Sequence, residues 1–253
     1  MENLRKPFQG TVNIIRFNWH FYAFAVTCLI ATLILTFVLT PDWKYYMILM
    51  SIVVILPVAI SLLISWYIYD FSPLYKFQFV KPGKPGSQVC INIHSGFDET
   101  SRMLKEKNNC AQFLVFDFYD PVKHTEISIR RARKAYPSFP GTRSISTDFI
   151  PCENHSADRI YLIFAAHEIR NDEERNTFFK ELSRILKADG DIVIVEHMRD
   201  KLNFIAYNIG FFHFLPRKLW LNQFNKSGFF IADEGKPNPF ITYFRLKKNG
   251  SPY

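Results

Sequence analysis

The sequence predicts an α/β domain carried behind a pair of membrane-spanning helices. Three observations lead there. Two uncharged apolar runs lie close together between residues 20 and 69. From residue 88 onward, short apolar runs alternate with stretches of helical period. Those runs are continuously apolar, as in strands covered by helices on both faces of a parallel sheet.

The chain has 253 residues, enough for one ordinary domain and an appendage. Hydrophobic residues make up 48%, and the 26 Phe ask for a large core or a lipid contact. A formal net charge of +8 suits nucleic acid, an anionic membrane surface or an anionic substrate. With no RNA-binding motif or zinc-finger spacing, nucleic acid is not expected as a partner, and the apolar runs favour membrane lipids. Cys28, Cys90, Cys110 and Cys152 are scattered, with no CxxC pair. No disulfide framework is expected, which fits a reducing compartment.

The first uncharged run spans residues 20–40 and the second 45–69. Each reaches the ~20 residues needed to cross hydrocarbon. Pro57 would kink the second helix, which a membrane span tolerates. Trp19, Tyr22, Trp43, Tyr45, Tyr46, Trp66, Tyr67 and Tyr69 crowd the ends as interfacial belts do. Arg5, Lys6 and Arg16 precede the pair and Lys76, Lys81 and Lys84 follow it, while only Lys44 lies between the spans. The positive-inside rule then puts both termini and the remaining domain in the cytoplasm. The expected organisation is a cytoplasmic segment 1–19, a hairpin 20–69, a Pro/Gly/Lys linker 70–87 and an α/β domain 88–253.

Inside that domain, residues 89–93 form a short strand, followed by the turn 94–100 with the single glycine Gly96. Residues 113–116 form a second strand ending in Asp117, and a helix covers residues 124–136. A third unit has a short strand at residues 144–146, then Asp148 and Pro151, then a strand over residues 159–166 introduced by Asp158. Next comes an amphipathic helix with Phe178, Phe179, Leu182, Ile185 and Leu186 on one face, acids at its start and Lys187 at its end. Ala188, Asp189 and Gly190 make a turn into the strand 192–195, which ends in Glu196 and His197. Residues 202–215 are aromatic-rich and lack Asp, Glu, Lys and Arg. A helix over 217–229 and a last strand over 241–246 close the chain.

The order "helix, ELSRILKADG, apolar strand, acid" resembles the second half of class I S-adenosylmethionine-dependent methyltransferases, of the type 11/25 kind. The likeness covers about residues 88–247. It implies a Rossmann-like seven-stranded methyltransferase sheet with an antiparallel last strand and S-adenosylmethionine as cofactor. By position, Asn92, His94 and Gly96 correspond to the first-strand cofactor loop, where the family carries an acid and three glycines. Asp117 corresponds to the acid that binds the ribose hydroxyls, with Asp120 as a substitute. Ser146 or Asp148 corresponds to the adenine-side acid. The helix tail SIRRAR and the "Ser-Gly-Phe" turn at residues 227–229 also match.

Chemistry at the carboxyl ends of the fourth and fifth strands falls to His167, Glu168 and His197, with Glu196, Asp200 and His213 nearby. Histidine has the right acidity to deprotonate a phenol-like acceptor near neutrality. His124, His167, Glu168, Glu196 and His197 also raise the thought of a metal cluster, but no HExxH or comparable spacing supports it, and no metal is expected. The greasy segment 202–215 suits a hydrophobic acceptor, or a dip into the membrane interface flanked by Arg199, Lys201, Arg217 and Lys218. The reading is a membrane-anchored methyltransferase of the bacterial inner membrane, acting on a lipid-like or aromatic/polyene acceptor at the cytoplasmic face. The alternative is the same fold without catalysis, a membrane scaffold. A third, a reductase of nucleotide-binding type, is disfavoured by the missing GxGxxG. The catalytic reading requires Asp117 at the open end of the sheet and free space beside Gly96.

Overall fold

The computed structural model describes residues 5–81, 88–108 and 110–250. The part of the expected linker that holds Lys84 lies outside the described residues.

Three helices precede the sheet: α1 (Gln9–Phe17), α2 (Trp19–Val38) and α3 (Pro41–Trp66). α3 runs on through a π-helical turn, Tyr67–Phe71, and a 3-10 turn, Pro73–Lys76. Both α2 and α3 are long and apolar enough to cross a membrane, and 6% and 0% of their apolar windows are buried. Their aliphatic and aromatic side chains therefore face outward, unlike those of a soluble core helix. α1 was not foreseen. Its buried residues are Gly10, Asn13 and Phe17, while Phe8 at its start, Val12 and Ile15 are exposed. It turns Gly10, Asn13 and Phe17 toward the protein and other apolar side chains away. Its first amides, on Gly10 and Thr11, donate to the Asp70 carboxylate, which compensates the helix start across some sixty residues.

The domain follows as β1 (Val89–His94), α4 (Ser101–Asn108), β2 (Gln112–Asp117), α5 (Ile127–Ala135), β3 (Arg143–Ser144) and β4 (Ala157–Ile163). Then come α6 (Asp172–Ile185), β5 (Leu186–His197), α7 (Lys201–Tyr207), α8 (Arg217–Lys226), β6 (Phe229–Asn238) and β7 (Ile241–Lys248). The seven strands lie in the order β3-β2-β1-β4-β5-β7-β6. β1 to β5 pair in parallel, and β7 runs antiparallel to both its neighbours. This is the methyltransferase-like sheet that the resemblance implies.

α6 forms where its acids and cap predict. The Asn171 side chain accepts from the amides of Glu173 and Glu174, and Phe178, Phe179, Leu182 and Ile185 are fully buried. The expected turn at residues 188–190 is instead the irregular start of β5. Leu186 pairs with Ala157 before a register shift, and the regular ladder resumes at Asp191. On one face of the sheet, Ile91, Ile160, Ile192 and Ile194 pack with α6 and α8. On the other, Tyr161, Val193 and Val195 pack against Ile68, Leu74, Phe77 and Val80. Much of the stretch read as a linker thus belongs to the core. Asp158 is structural, as its position at a strand start suggests: it accepts from the Val89 amide and pairs with Lys187.

The cysteine expectation needs correction. Cys90 and Cys110 form a disulfide, with an S–S distance of 2.02 Å. The parallel pairing of β1 with β2 brings together two residues that sequence spacing left unrelated.

Candidate functional site

Two clusters of polar side chains lie at the carboxyl ends of the parallel strands, where open α/β sheets bind ligands. The first joins β1 to β2. His94 and Asp117, the last residues of these strands, are register partners and are 3% and 4% exposed. The His94 Nδ1 accepts from the Gly96 amide and lies 3.7 Å from Asp117 Oδ1. Burial pulls this imidazole below its usual acidity range. Gly96 has φ +98°, a conformation that favours glycine. The Asn92 amide donates to Thr100 and Ser101 at the start of α4.

Asp117 is already engaged. Its Oδ1 accepts from the Tyr119 amide, and its Oδ2 pairs with the Arg133 guanidinium, which also lies over the Tyr119 ring. A Cβ built on Gly96 would meet Arg133 Cδ and Nη1 at 2.9 Å and Tyr119 Cβ at 3.1 Å. The space beside Gly96 is therefore filled, against expectation. The filler is chiefly the far end of a side chain that is 35% exposed, not strand backbone. A second cover lies above it. Glu99 accepts from Arg5, Gln9, Asn13 and Tyr75, which fastens α1 over the turn, and Phe17 of α1 meets Phe97 edge-on.

These residues fit the nucleoside end of an adenosine cofactor in one respect and resist it in another. His94 Nε2, Asn92 Oδ1 and Asp98 Oδ2 are buried without a hydrogen-bond partner among the described residues. Unpaired buried polar atoms at the end of β1 and in the turn after it suit a polar ligand. A carboxylate at the neighbouring strand tip suits two vicinal hydroxyls. The set fits with Arg133 withdrawn into solvent, and not with Arg133 in place. Ser146 and Asp148 follow β3, which pairs with the Asp117 strand tip, but both are exposed, and the Ser146 hydroxyl holds the Asp148 carboxyl below the usual carboxylate range.

The second cluster joins β4 to β5. His167 and Glu168 sit in a 3-10 turn, Ala166–Glu168, directly after β4. His167 Nδ1 meets Glu196 Oε2 at 2.6 Å, and the same carboxylate accepts from the His167 amide. Burial opposes the charge on His167, but Glu196 and Glu168 outweigh it and push this imidazole up to about 10. His213, at the end of the 3-10 turn Asn208–His213, donates or accepts at Glu168 Oε1 over 3.1 Å. His197 behaves oppositely. Its Nδ1 donates to Asn203 and its Nε2 accepts from the Tyr69 hydroxyl at 2.7 Å, so the ring is held neutral. Burial pushes it down to about 3. A cavity of about 570 Å³ opens beside Glu168, lined also by Lys123, His124, Arg170 and Glu174.

The structure thus unites His94, Gly96 and Asp117, unites His167 with Glu168, and turns His197 to Tyr69 and Asn203 instead. Sequence reasoning missed Arg133 as a plug, Glu99 as an anchor and Tyr69 as a partner. All three act through contacts with distant segments and leave no local pattern.

No family model matches the chain, and no curated protein matches it. Solved structures do. A SAM-dependent methyltransferase from Aquifex aeolicus aligns with a TM-score of 0.51 at 12% identity, over 75% of this chain and 97% of that one. Geranyl diphosphate C-methyltransferase from Streptomyces coelicolor A3(2), solved with Mg2+, geranyl diphosphate and S-adenosyl-L-homocysteine, aligns at 0.49 and 12%, over 69% and 78%. At such identity the likeness is one of fold.

Proposed function

We propose that the chain is a membrane-anchored S-adenosylmethionine-dependent methyltransferase that works on a hydrophobic acceptor. The observation that carries the reading is the knot of unpaired buried polar atoms on His94, Asn92 and Asp98, beside the Asp117 carboxylate. With Arg133 swung out, Asp117 would hold the ribose, and the Gly96 turn would let backbone approach the ligand. The cofactor supplies an activated methyl group. The protein then has to orient donor and acceptor and exclude water, and burial of the β4 and β5 tips serves that end. His167, held by Glu196 and Glu168, fixes a proton at the acceptor edge, while neutral His197 with Tyr69 shapes its far wall.

Membrane anchoring is supported by the outward apolar faces of α2 and α3 and by the exposed Phe8, Val12 and Ile15 along α1. Leu202, Phe204, Ile205, Ile209 and Phe212 add an exposed apolar patch on the segment after β5. Such a patch marks a lipid contact or a path for a greasy acceptor. The distribution of basic residues supports a cytoplasmic domain. The Cys90–Cys110 disulfide weighs the other way, toward an oxidising compartment.

A second reading, a methyltransferase fold that serves as a membrane scaffold without catalysis, is favoured by one observation: Arg133 and Tyr119 fill the space the donor needs. Titration of the detergent-purified chain with S-adenosylhomocysteine separates the two. The enzyme reading expects binding by the wild type and a loss of about tenfold or more in Asp117→Ala, the effect of one charge-assisted bond. No binding by the wild type or by Arg133→Ala would leave the scaffold.

A further inference from the structure

The acceptor-edge cluster gathers two imidazoles on one carboxylate. His167 Nε2 and His213 Nε2 converge on the same oxygen, Glu168 Oε1, at 3.3 and 3.1 Å. The ligand-type atoms of these three residues all lie within 4.8 Å of one another. Each imidazole is backed on its other nitrogen by a carboxylate. His167 Nδ1 meets Glu196 at 2.6 Å, and His213 Nδ1 faces Glu126 Oε1 at 3.3 Å. A carboxylate placed so can hold the proton on Nδ1 once a metal takes Nε2, where each imidazole otherwise donates to Glu168. Arg170 bonds the same Glu126 oxygen at 2.5 Å and also touches His213 Nδ1. Without metal, His213 Nδ1 accepts from Arg170; a metal on Nε2 would move the proton to Nδ1 and leave the guanidinium to Glu126 alone.

Charge points the same way. Glu126, Glu168 and Glu196 bring three negative charges against one positive charge on Arg170, so with both histidines neutral, as metal ligation requires, the group stands at minus two. Without metal, a proton on His167 offsets only one of these. Glu168 and Glu196 are 4% and 0% exposed, where uncompensated charge is costly. Two protons or one divalent cation would balance it. Two aimed nitrogens and one carboxylate oxygen, buried and bordered by an open cavity, match the ligand count of a catalytic metal site with a position left for substrate. The cavity is also lined by His124, which is 3% exposed and whose Nε2 has no partner among the described residues.

We propose that His167, Glu168 and His213 bind a divalent first-row transition metal ion, with Glu196 and Glu126 as positioning residues and an open coordination position toward the cavity. The acceptor then reaches the site through an oxygen or nitrogen donor atom. The inference rests on the acceptor edge of the function proposed above and makes no use of the donor, so either can fail alone.

The probes are Zn2+ and Co2+ added to full-length protein in detergent after dialysis against chelator. Retained metal is counted by elemental analysis, and Co2+ is followed by its visible d–d bands. One equivalent per chain is expected for the wild type. His213→Ala and Glu168→Gln are expected to weaken binding on the order of 100-fold, and Glu126→Gln, which keeps all three ligands, about tenfold. Should His213→Ala fail to fold, Glu126→Gln gives the same reading. His155→Ala, altering a histidine that contacts Leu186 and Lys248, is expected to change nothing. Failure to retain metal above the Glu168→Gln level, or equal retention by every variant, overturns the site. S-adenosylhomocysteine titrated into the chelated protein reports on the donor reading separately.

Discussion

The two strand-tip clusters solve the burial of charge in different ways. At the β1–β2 tips, Asp117 is neutralised by Arg133, a long side chain that reaches the surface. At the β4–β5 tips, Glu196 is fully buried against His167, and the groups around it belong to turns locked by backbone. The first is a closure over unpaired polar atoms. The second is a fixed charged centre beside a cavity. On the function proposed above, the first cluster would admit the donor and the second would face the acceptor.

Stability should separate them most strongly. Glu196→Ala leaves a buried imidazole without its partner and is expected to cost about 3 to 5 kcal/mol. Asp117→Ala strands only the Tyr119 amide and a solvent-reaching guanidinium, for about 1 to 2 kcal/mol. Denaturant unfolding in detergent measures both, and equal losses would erase the contrast.

Acid sensitivity is the next effect. His197 has its folded value pushed down to about 3, below an unfolded value near 6.5. A depressed histidine contributes stability that is complete above the unfolded value and is lost as pH falls toward the folded one. Each pH unit below about 6.5 then costs about 1.4 kcal/mol, or about 2 kcal/mol by pH 5. His197→Gln should flatten that slope between pH 6.5 and 5. An unchanged slope would mean that the Tyr69 and Asn203 contacts do not hold the ring neutral.

The smallest effect probes the plug. Gly96→Ala is expected to cost about 1 to 2 kcal/mol, part from backbone strain and part from the clash with Arg133. In an Arg133→Ala background the clash part should vanish and the strain remain. Full additivity would show that Arg133 does not occupy that space.

Much of the fold is legible in the sequence because strand and helix periods are local. Residues 113–117 read as a strand with an acid at its tip, and the α6 face of Phe178, Phe179, Leu182 and Ile185 reads as core, as observed. What escapes is set by long-range pairing. Asp70 capping α1, Glu99 anchoring it, and Cys90 meeting Cys110 each depend on which strands and helices become neighbours. Arg133 lies in an ordinary basic helix tail, and its role exists only because α5 packs over Asp117. The metal-like convergence of His167, Glu168 and His213 is hidden for the same reason, since His213 arrives from a turn beyond β5.

The function proposed above is transfer of a methyl group to a molecule dissolved in the membrane. Native membranes carrying the protein, incubated with methyl-labelled S-adenosylmethionine and extracted into organic solvent, test it most directly. Label in the organic phase with the wild type, and about tenfold less or lower with Asp117→Ala at limiting donor, is the predicted result. Equal label with both, or none with either, contradicts it.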